Sequence, residues 1–206
     1  MSTLEHISVQ QNDPGELLEV YDAAGHPSGR AKPRAAIHLD GDWHRAFHCW
    51  ILRQNGREVV LQRRALGKDT FPGRWDAAAA GHWRFGESAA EAAREIPEEL
   101  GLSVPFSSLR YCCRFSVAHD FPNGLIDREF HEVYVLEDDR PLRDYRPDPG
   151  EVMAVGAFVV EELIALARGE VDAIAPVEAF GDVQSTVTRA DVVPYSAERL
   201  SGMLGR

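Results

Sequence analysis

Gly81–Leu102 reads GHWRFGESAAEAAREIPEELGL, and its second half decides the fold. At about 100° per residue in an α-helix, Glu91, Glu95, Glu98 and Glu99 fall within one arc. Ala89, Ala93, Ile96 and Leu100 gather on the opposite side. Ser88 with Glu91 predicts a capping box at the start, and Gly101 predicts a left-handed stop. A solvated helix ordinarily alternates charge sign, because i,i+4 pairs then support it. This one accumulates negative charge, which costs stability unless a cation sits against it. Carboxylate oxygens are hard ligands suited to Mg²⁺ or Mn²⁺.

Outward from that helix, the chain of 206 residues is long enough to bury one good core. Its formal net charge is −11, from 33 acidic against 22 basic residues. Sequence-independent binding of polymeric nucleic acid needs clustered Lys and Arg, so that class is set aside. Cys49, Cys112 and Cys113 are an odd number without a CxxC. The last two are adjacent in a predicted strand, which would send their side chains to opposite faces. That pattern points to buried thiols and a reducing cytoplasm rather than a disulfide framework. No apolar run reaches the ~18 residues of a membrane span, and no signal peptide is expected at the N-terminus.

Three segments are expected: a flexible N-terminus over 1–15, a domain over 16–168, and a C-terminal extension over 169–206. Leu17–Tyr21 reads as a strand followed by a turn at Gly25 and Pro27. Phe47–Leu52 and Val59–Gln62 read as a hairpin closed by Asn55-Gly56. Pro72-Gly73 predicts a turn, and Trp75–Ala80 a strand leading into the acidic helix. Leu109–Val117 and Arg128–Leu136 suit a long antiparallel pair, and Val152–Val160 another strand before a helix over Glu161–Arg168. Ser196–Leu204 has the spacing of a short amphipathic helix packed on the domain. Strands and helices in this order predict an α/β class with a mixed sheet covered on both faces.

The fixed positions carry a family resemblance. Gly81, Glu87, then Arg94-Glu95-Ile96-x-Glu98-Glu99-x-Gly101-Leu102 resembles the Nudix box, G-x5-E-x7-R-E-U-x-E-E-x-G-U, with U a bulky aliphatic residue. Every fixed position is matched, but the gap between Glu87 and Arg94 is one residue short. Pro97 also stands inside the predicted helix, where proline costs about 3 kcal/mol. The two departures lie close enough for a bulge or kink to accommodate both. The resemblance implies a Nudix-type α/β/α sandwich with a loop-helix-loop motif over Leu17–Arg168. It implies a Mg²⁺-dependent (or Mn²⁺-dependent) hydrolase that cleaves a small-molecule diphosphate. A nucleoside di- or triphosphate, or a nucleoside diphosphate derivative, is the expected substrate. The family also admits a homodimer.

Glu95, Glu98, Glu99 and the Gly81 carbonyl are then the expected metal ligands, with Arg94 and Glu87 fixing the loop against the helix. Upstream, Arg64 and Lys68 are candidates to clamp phosphate, Arg by paired hydrogen bonds and Lys as a point charge. His82, Glu129 and Glu132 are expected at the substrate, and Glu129, Glu132 and Glu151 are candidates for a general base outside the box. Trp43, Trp83, Phe85 and Phe121 are candidates to stack on a base or cover an apolar tail. Lys68–Asp76 and Trp43–His48 are similar to one branch, the type I isopentenyl-diphosphate isomerases and their Nudix relatives. That comparison implies a His/carboxylate metal site from His44, His82 and Glu129, with His38 and Asp127. The isomerase cysteine would fall at Ala80, which cannot carry a proton, so hydrolysis leads. The rival expectations are an isomerase of prenyl diphosphates and a non-catalytic diphosphate sensor.

Overall fold

A short two-stranded sheet precedes the central one. In the computed structural model, which describes residues 15–205, β1 (Leu17–Tyr21) and β2 (Pro27–Pro33) form a hairpin. A short helix, α1 (Arg34–Asp40), follows and stops at Gly41 in the left-handed region. The sequence reading missed β2 and α1: β2 is exposed, and α1 is short and follows a proline. The expected N-terminal segment, residues 1–15, lies outside the described residues except for Gly15.

β3 (His44–Arg53) and β4 (Glu58–Arg64) pair antiparallel from Ile51↔Val60 to Arg53↔Glu58. The turn spans residues 54–57 and centres on the expected Asn55-Gly56, with Gln54, Asn55 and Gly56 all at positive φ. Beyond Ile51 the two strands separate. β5 (Trp75–Ala77) pairs with β4, and β6 (Ala79–His82) pairs with β3. The wedge carries Ala80 and Gly81 to the middle of the sheet.

The acidic helix is not continuous. α2 (Ala89–Ala92) starts in the expected Ser88/Glu91 capping box, and the chain restarts as α3 (Glu95–Leu100). Arg94 N–H donates to Glu91 O and Ile96 N–H to Ala93 O, both spanning three residues rather than four. This tightening absorbs the missing residue. Glu91 is thereby spent on the cap, apart from Glu95, Glu98 and Glu99. Pro97 falls in the first turn of α3, where its absent N–H leaves little unmade. The expected penalty of an interior proline does not arise.

β7 (Arg110–Asp120) and β8 (Ile126–Glu137) form the long antiparallel pair, and β8 runs parallel to β3 over His44–Leu52. A bulge at Cys112 alters the expected alternation: Tyr111 meets Tyr134 on one face, while Cys112 and Cys113 both pack against the core on the other. All three cysteines are free thiols.

β9 (Val152–Val159) pairs with β4, and α4 (Val160–Arg168) follows. Beyond it lie β10 (Ala173–Ile174), β11 (Glu178–Gly181), β12 (Val187–Thr188) and α5 (Ala197–Leu204), the last capped by Ser196 as expected. The sheet order is β11-β9-β4-β3-β8-β7. One core joins α4 and α5 to one sheet face; the other sets Ala92, Ile96 and Leu100 against the opposite face. The mixed sheet covered on both faces is the expected class. Past residue 168, β11 extends the sheet and Tyr195, Leu200 and Met203 pack into its core.

Candidate active site

A cavity of about 1120 Å³ opens between the acidic helix, the wedge, β8 and the segment before α5. Its outer wall is α3. Glu99 is 2 % exposed and its Oε2 accepts from Gln62 Nε2 at 2.8 Å and from the Ala80 N–H at 2.9 Å. Glu95 stands beside it, and burial together with the Glu99 charge pushes its carboxyl up to about 7. Burial raises Glu99 as well, against the opposing pull of Lys68. Glu98 is more than half exposed. Two neighbouring carboxylates, buried and holding protons above their ordinary range, form a site short of positive charge.

Gly81 makes room for that site. A Cβ there would overlap the Glu95 carboxylate, so the wedge and α3 approach this closely only at glycine. Arg94 Nη1 donates to both Glu87 oxygens, at 2.7 and 2.8 Å, and Nη2 donates to the His82 carbonyl at 3.1 Å. Arg94 also pairs with Glu95 at 2.8 Å. The loop is thus tied to the helix at the pair of residues expected to do so, despite the shortened gap.

The cations upstream divide. Lys68 Nζ lies 3.7 Å from Glu99 Oε1 and closer still to Glu151, and burial lowers its ammonium below the usual range. Arg64 donates to Thr70 O at 3.0 Å, to Thr70 Oγ1 at 3.1 Å and to Asp76 at 3.1 Å. Two of its five N–H groups hold Thr70 in the 65–73 loop and a third holds Asp76 on β5.

A second constellation shares the cavity. The rings of His38, His44 and His82 form a triangle with all three centroid separations at 5.1 Å and mutual tilts of 52–60°. Asp127 Oδ1 lies 3.9 Å from His38 Nε2 and 3.8 Å from His44 Nε2; Glu129 Oε1 lies 3.6 Å from His44 Nε2 and 3.5 Å from His82 Nε2. These spacings are too long for hydrogen bonds, and those from Glu129 to His44 and His82 suit ligands around one ion with bonds of about 2.1 Å, which sit about 3.0–3.6 Å apart. His38 Nε2, His44 Nε2 and Asp127 Oδ1 are buried without a partner. Burial pushes His38 down to about 3, keeping a lone pair available. Burial opposes the His82 cation, yet its contacts with Glu129 and Glu16 outweigh that and raise it to about 9.

Glu132 points to the other face of β8, held by Tyr111 Oη at 3.0 Å and Arg114 at 3.3 Å, and does not line the cavity. Glu129 and His82, expected at the substrate, stand among the histidines. Of the candidate bases outside the box, Glu151 faces the α3 carboxylates through Lys68. Trp43 stacks on Phe130 and Trp83 is buried beneath Arg45, so neither is free for a ligand; Phe85 is exposed outside the cavity. Phe121 packs on Phe71, which does line it.

The NUDIX domain pattern matches residues 42–180, more than half of the chain and all of the box. The chain belongs to the Nudix family. It is 34 % identical over 173 residues to Nudix hydrolase 3 of Arabidopsis thaliana, covering 81 % of this chain and 22 % of that protein. It is 36 % identical over 165 residues to the isopentenyl-diphosphate Delta-isomerase of Streptomyces griseus, covering 79 % and 80 %. A Deinococcus radiodurans crystal structure shares the fold with a TM-score of 0.58 at 24 % identity, covering 75 % of this chain and 90 % of that one. The Nudix box here is that of a pyrophosphohydrolase, with both pairs of charged residues present and alanine at position 80.

Proposed function

We propose that this Nudix enzyme is a Mg²⁺-dependent hydrolase that cleaves the phosphoanhydride of a nucleoside di- or triphosphate or a nucleoside diphosphate derivative. The observation that carries the reading is the pair of buried carboxylates, Glu95 and Glu99, beside Gly81 in a cavity with Lys68 and Arg64 at its rim. Glu95, Glu98, Glu99 and the Gly81 carbonyl would hold the metal. When bound, Mg²⁺ neutralises charge on the diphosphate oxygens and lowers the pKa of water. Arg94 holds Glu95 in place while Glu87 anchors Arg94. Lys68 pairs with Glu99 and Glu151 and stands within reach of a phosphate oxygen. Glu151, across Lys68 from α3, is the carboxylate placed to take the water proton. Free thiols at Cys49, Cys112 and Cys113 accord with a reducing, cytoplasmic setting, and no helix among the described residues is long and apolar enough to cross a membrane.

The histidine triangle with Asp127 and Glu129 favours a second reading, an isomerase-like enzyme on a prenyl diphosphate. Its donors, imidazoles with two carboxylates, suit a borderline divalent ion more than Mg²⁺. Against it stands Ala80, which carries no proton to or from carbon. A panel of diphosphates assayed for phosphate release with Mg²⁺ or Mn²⁺ tests the first reading. Glu98→Gln and Glu99→Gln are each expected to lower the rate at least about tenfold. Double-bond migration in isopentenyl diphosphate, followed by NMR without phosphate release, would replace hydrolysis with isomerisation. No turnover on either panel would leave a diphosphate sensor.

A further inference from the structure

β4 reads Glu58-Val59-Val60-Leu61-Gln62-Arg63-Arg64, and Gln62 breaks its apolar run on a buried face. Val60 packs in the core beneath α3, and Leu61 in the core on the other side of the sheet. Alternation along the strand returns Gln62 to the α3 side, where it is 1 % exposed. An amide sunk this deeply costs desolvation unless both its ends are partnered. Only one end is. Gln62 Nε2 donates to Glu99 Oε2 at 2.8 Å, while Gln62 Oε1 is buried with no hydrogen-bond partner among the described residues. An aliphatic side chain here would cost the fold less, so what the glutamine supplies is the N–H that reaches Glu99.

That N–H is one of two on the same oxygen. The Ala80 N–H, from β6, also donates to Glu99 Oε2, at 2.9 Å. A carboxylate oxygen has two lone pairs, so two donors at these lengths fill Oε2. Glu99 Oε1 is left facing Lys68 Nζ at 3.7 Å, beyond hydrogen-bond reach. Glu95 is divided in the same way, with its Oε1 engaged by Arg94 Nη2 at 2.8 Å. Each buried carboxylate of the site therefore has one oxygen held by the protein and one open.

Hard cations differ on this point. Ca²⁺ takes about six to eight oxygens at about 2.3–2.6 Å and readily uses both oxygens of one carboxylate. Mg²⁺ demands near-octahedral geometry at about 2.0–2.1 Å and keeps several waters, so it takes one oxygen from each carboxylate. A carboxylate whose second oxygen is filled by two N–H groups meets the second demand and not the first.

We propose that Gln62 is a positioning residue that sets the cation selectivity of the α3 site: with the Ala80 N–H it holds Glu99 Oε2 and leaves Oε1 as a single ligating oxygen, which favours a small octahedral cation over Ca²⁺. The proposal rests on the reading that the α3 carboxylates hold the divalent cation. Gln62 does not line the cavity, so it acts through Glu99 and not on the substrate.

The test titrates the full chain with Mg²⁺ and with Ca²⁺ by calorimetry, without substrate. Both ions seek oxygen rather than imidazole, and heat that persists in Glu99→Gln is subtracted as foreign to α3. Gln62→Met removes the donor while keeping length and bulk, and Gln62→Leu repeats the removal; melting temperatures report whether each folds. We expect the ratio of the Ca²⁺ to the Mg²⁺ dissociation constant to fall at least about tenfold in both variants. A glutamine that only packs would weaken both ions together, so an unchanged ratio overturns the proposal and leaves the hydrolase reading standing. If neither variant folds, the native chain decides. The infrared antisymmetric carboxylate stretch that Glu99→Gln removes should lie in the one-oxygen range with Mg²⁺ bound, and a stretch in the two-oxygen range overturns the proposal. A shifted ratio in a chain that hydrolyses no diphosphate would sink the hydrolase reading and keep the role of Gln62. A native chain that binds neither ion would overturn both.

Discussion

Gly81 and Glu95 are in closer contact than any other residue type at position 81 would permit: a Cβ there would overlap the Glu95 carboxylate. Gly81 does not lie at positive φ, so the requirement is for space alone. Gly81→Ala is expected to push Glu95 off the cavity wall and lower kcat/KM at least about 100-fold, the scale on which a displaced electrostatic group acts. The Mg²⁺ midpoint for activity should rise in parallel. Near-normal turnover in Gly81→Ala would mean that Glu95 does not hold the metal.

Glu95 also ties stability to metal. Its carboxyl is raised to about 7 by burial and by Glu99, so the protonated form is favoured in the fold. Stability from this group is full below the ordinary carboxylate value and is lost as pH rises through about 7. In EDTA at pH 8, Glu95→Gln is therefore expected to be more stable than the native chain by about 2–3 kcal/mol. Mg²⁺ should raise the native melting temperature and leave Glu95→Gln nearly unmoved. Equal melting temperatures in EDTA at pH 8 would count against a cation-deficient site.

Much of this arrangement is legible in the sequence because it rests on local rules. The Ser88 cap, the Gly101 stop, the β7–β8 pair and the α5 helix each follow from neighbours a few residues apart. What escapes is assembled from afar. His38, His44 and His82 meet from α1, β3 and β6, and nothing local marks α1, which bears one of them. Tyr195 reaches Asp76 across 119 positions, so the C-terminal extension reads as packing while it completes the cavity. The bulge at Cys112 is invisible to an alternation rule that assumes an unbroken strand.

Pro97 tests the broken helix directly. Inside a continuous helix it would cost about 3 kcal/mol, and Pro97→Ala would recover most of that. In the first turn of α3 its missing N–H is no loss. Pro97→Ala is expected to change unfolding free energy by less than about 1 kcal/mol, with kcat/KM within about twofold. Chemical denaturation decides between them, since a gain near 3 kcal/mol would restore the continuous helix.

His48 provides the pH dependence. Burial, with His131 beside it, depresses its pKa to about 3, so the fold keeps it neutral while the unfolded chain binds a proton near pH 6.5. A depressed value contributes stability that is full above pH 6.5 and is lost progressively as pH falls towards 3. At pH 5 the loss from His48 alone is about 2 kcal/mol, from 1.5 units at about 1.4 kcal/mol each. For a chain of this size that lowers the melting temperature by about 4–8 °C between pH 7 and pH 5. His48→Gln cannot take up the proton in either state, so its melting curve should fall less steeply over the same interval by about that amount. His38 and His119, both also depressed, remain in each protein and cancel in the comparison. Parallel curves for the two proteins would show that His48 is not held neutral by the fold.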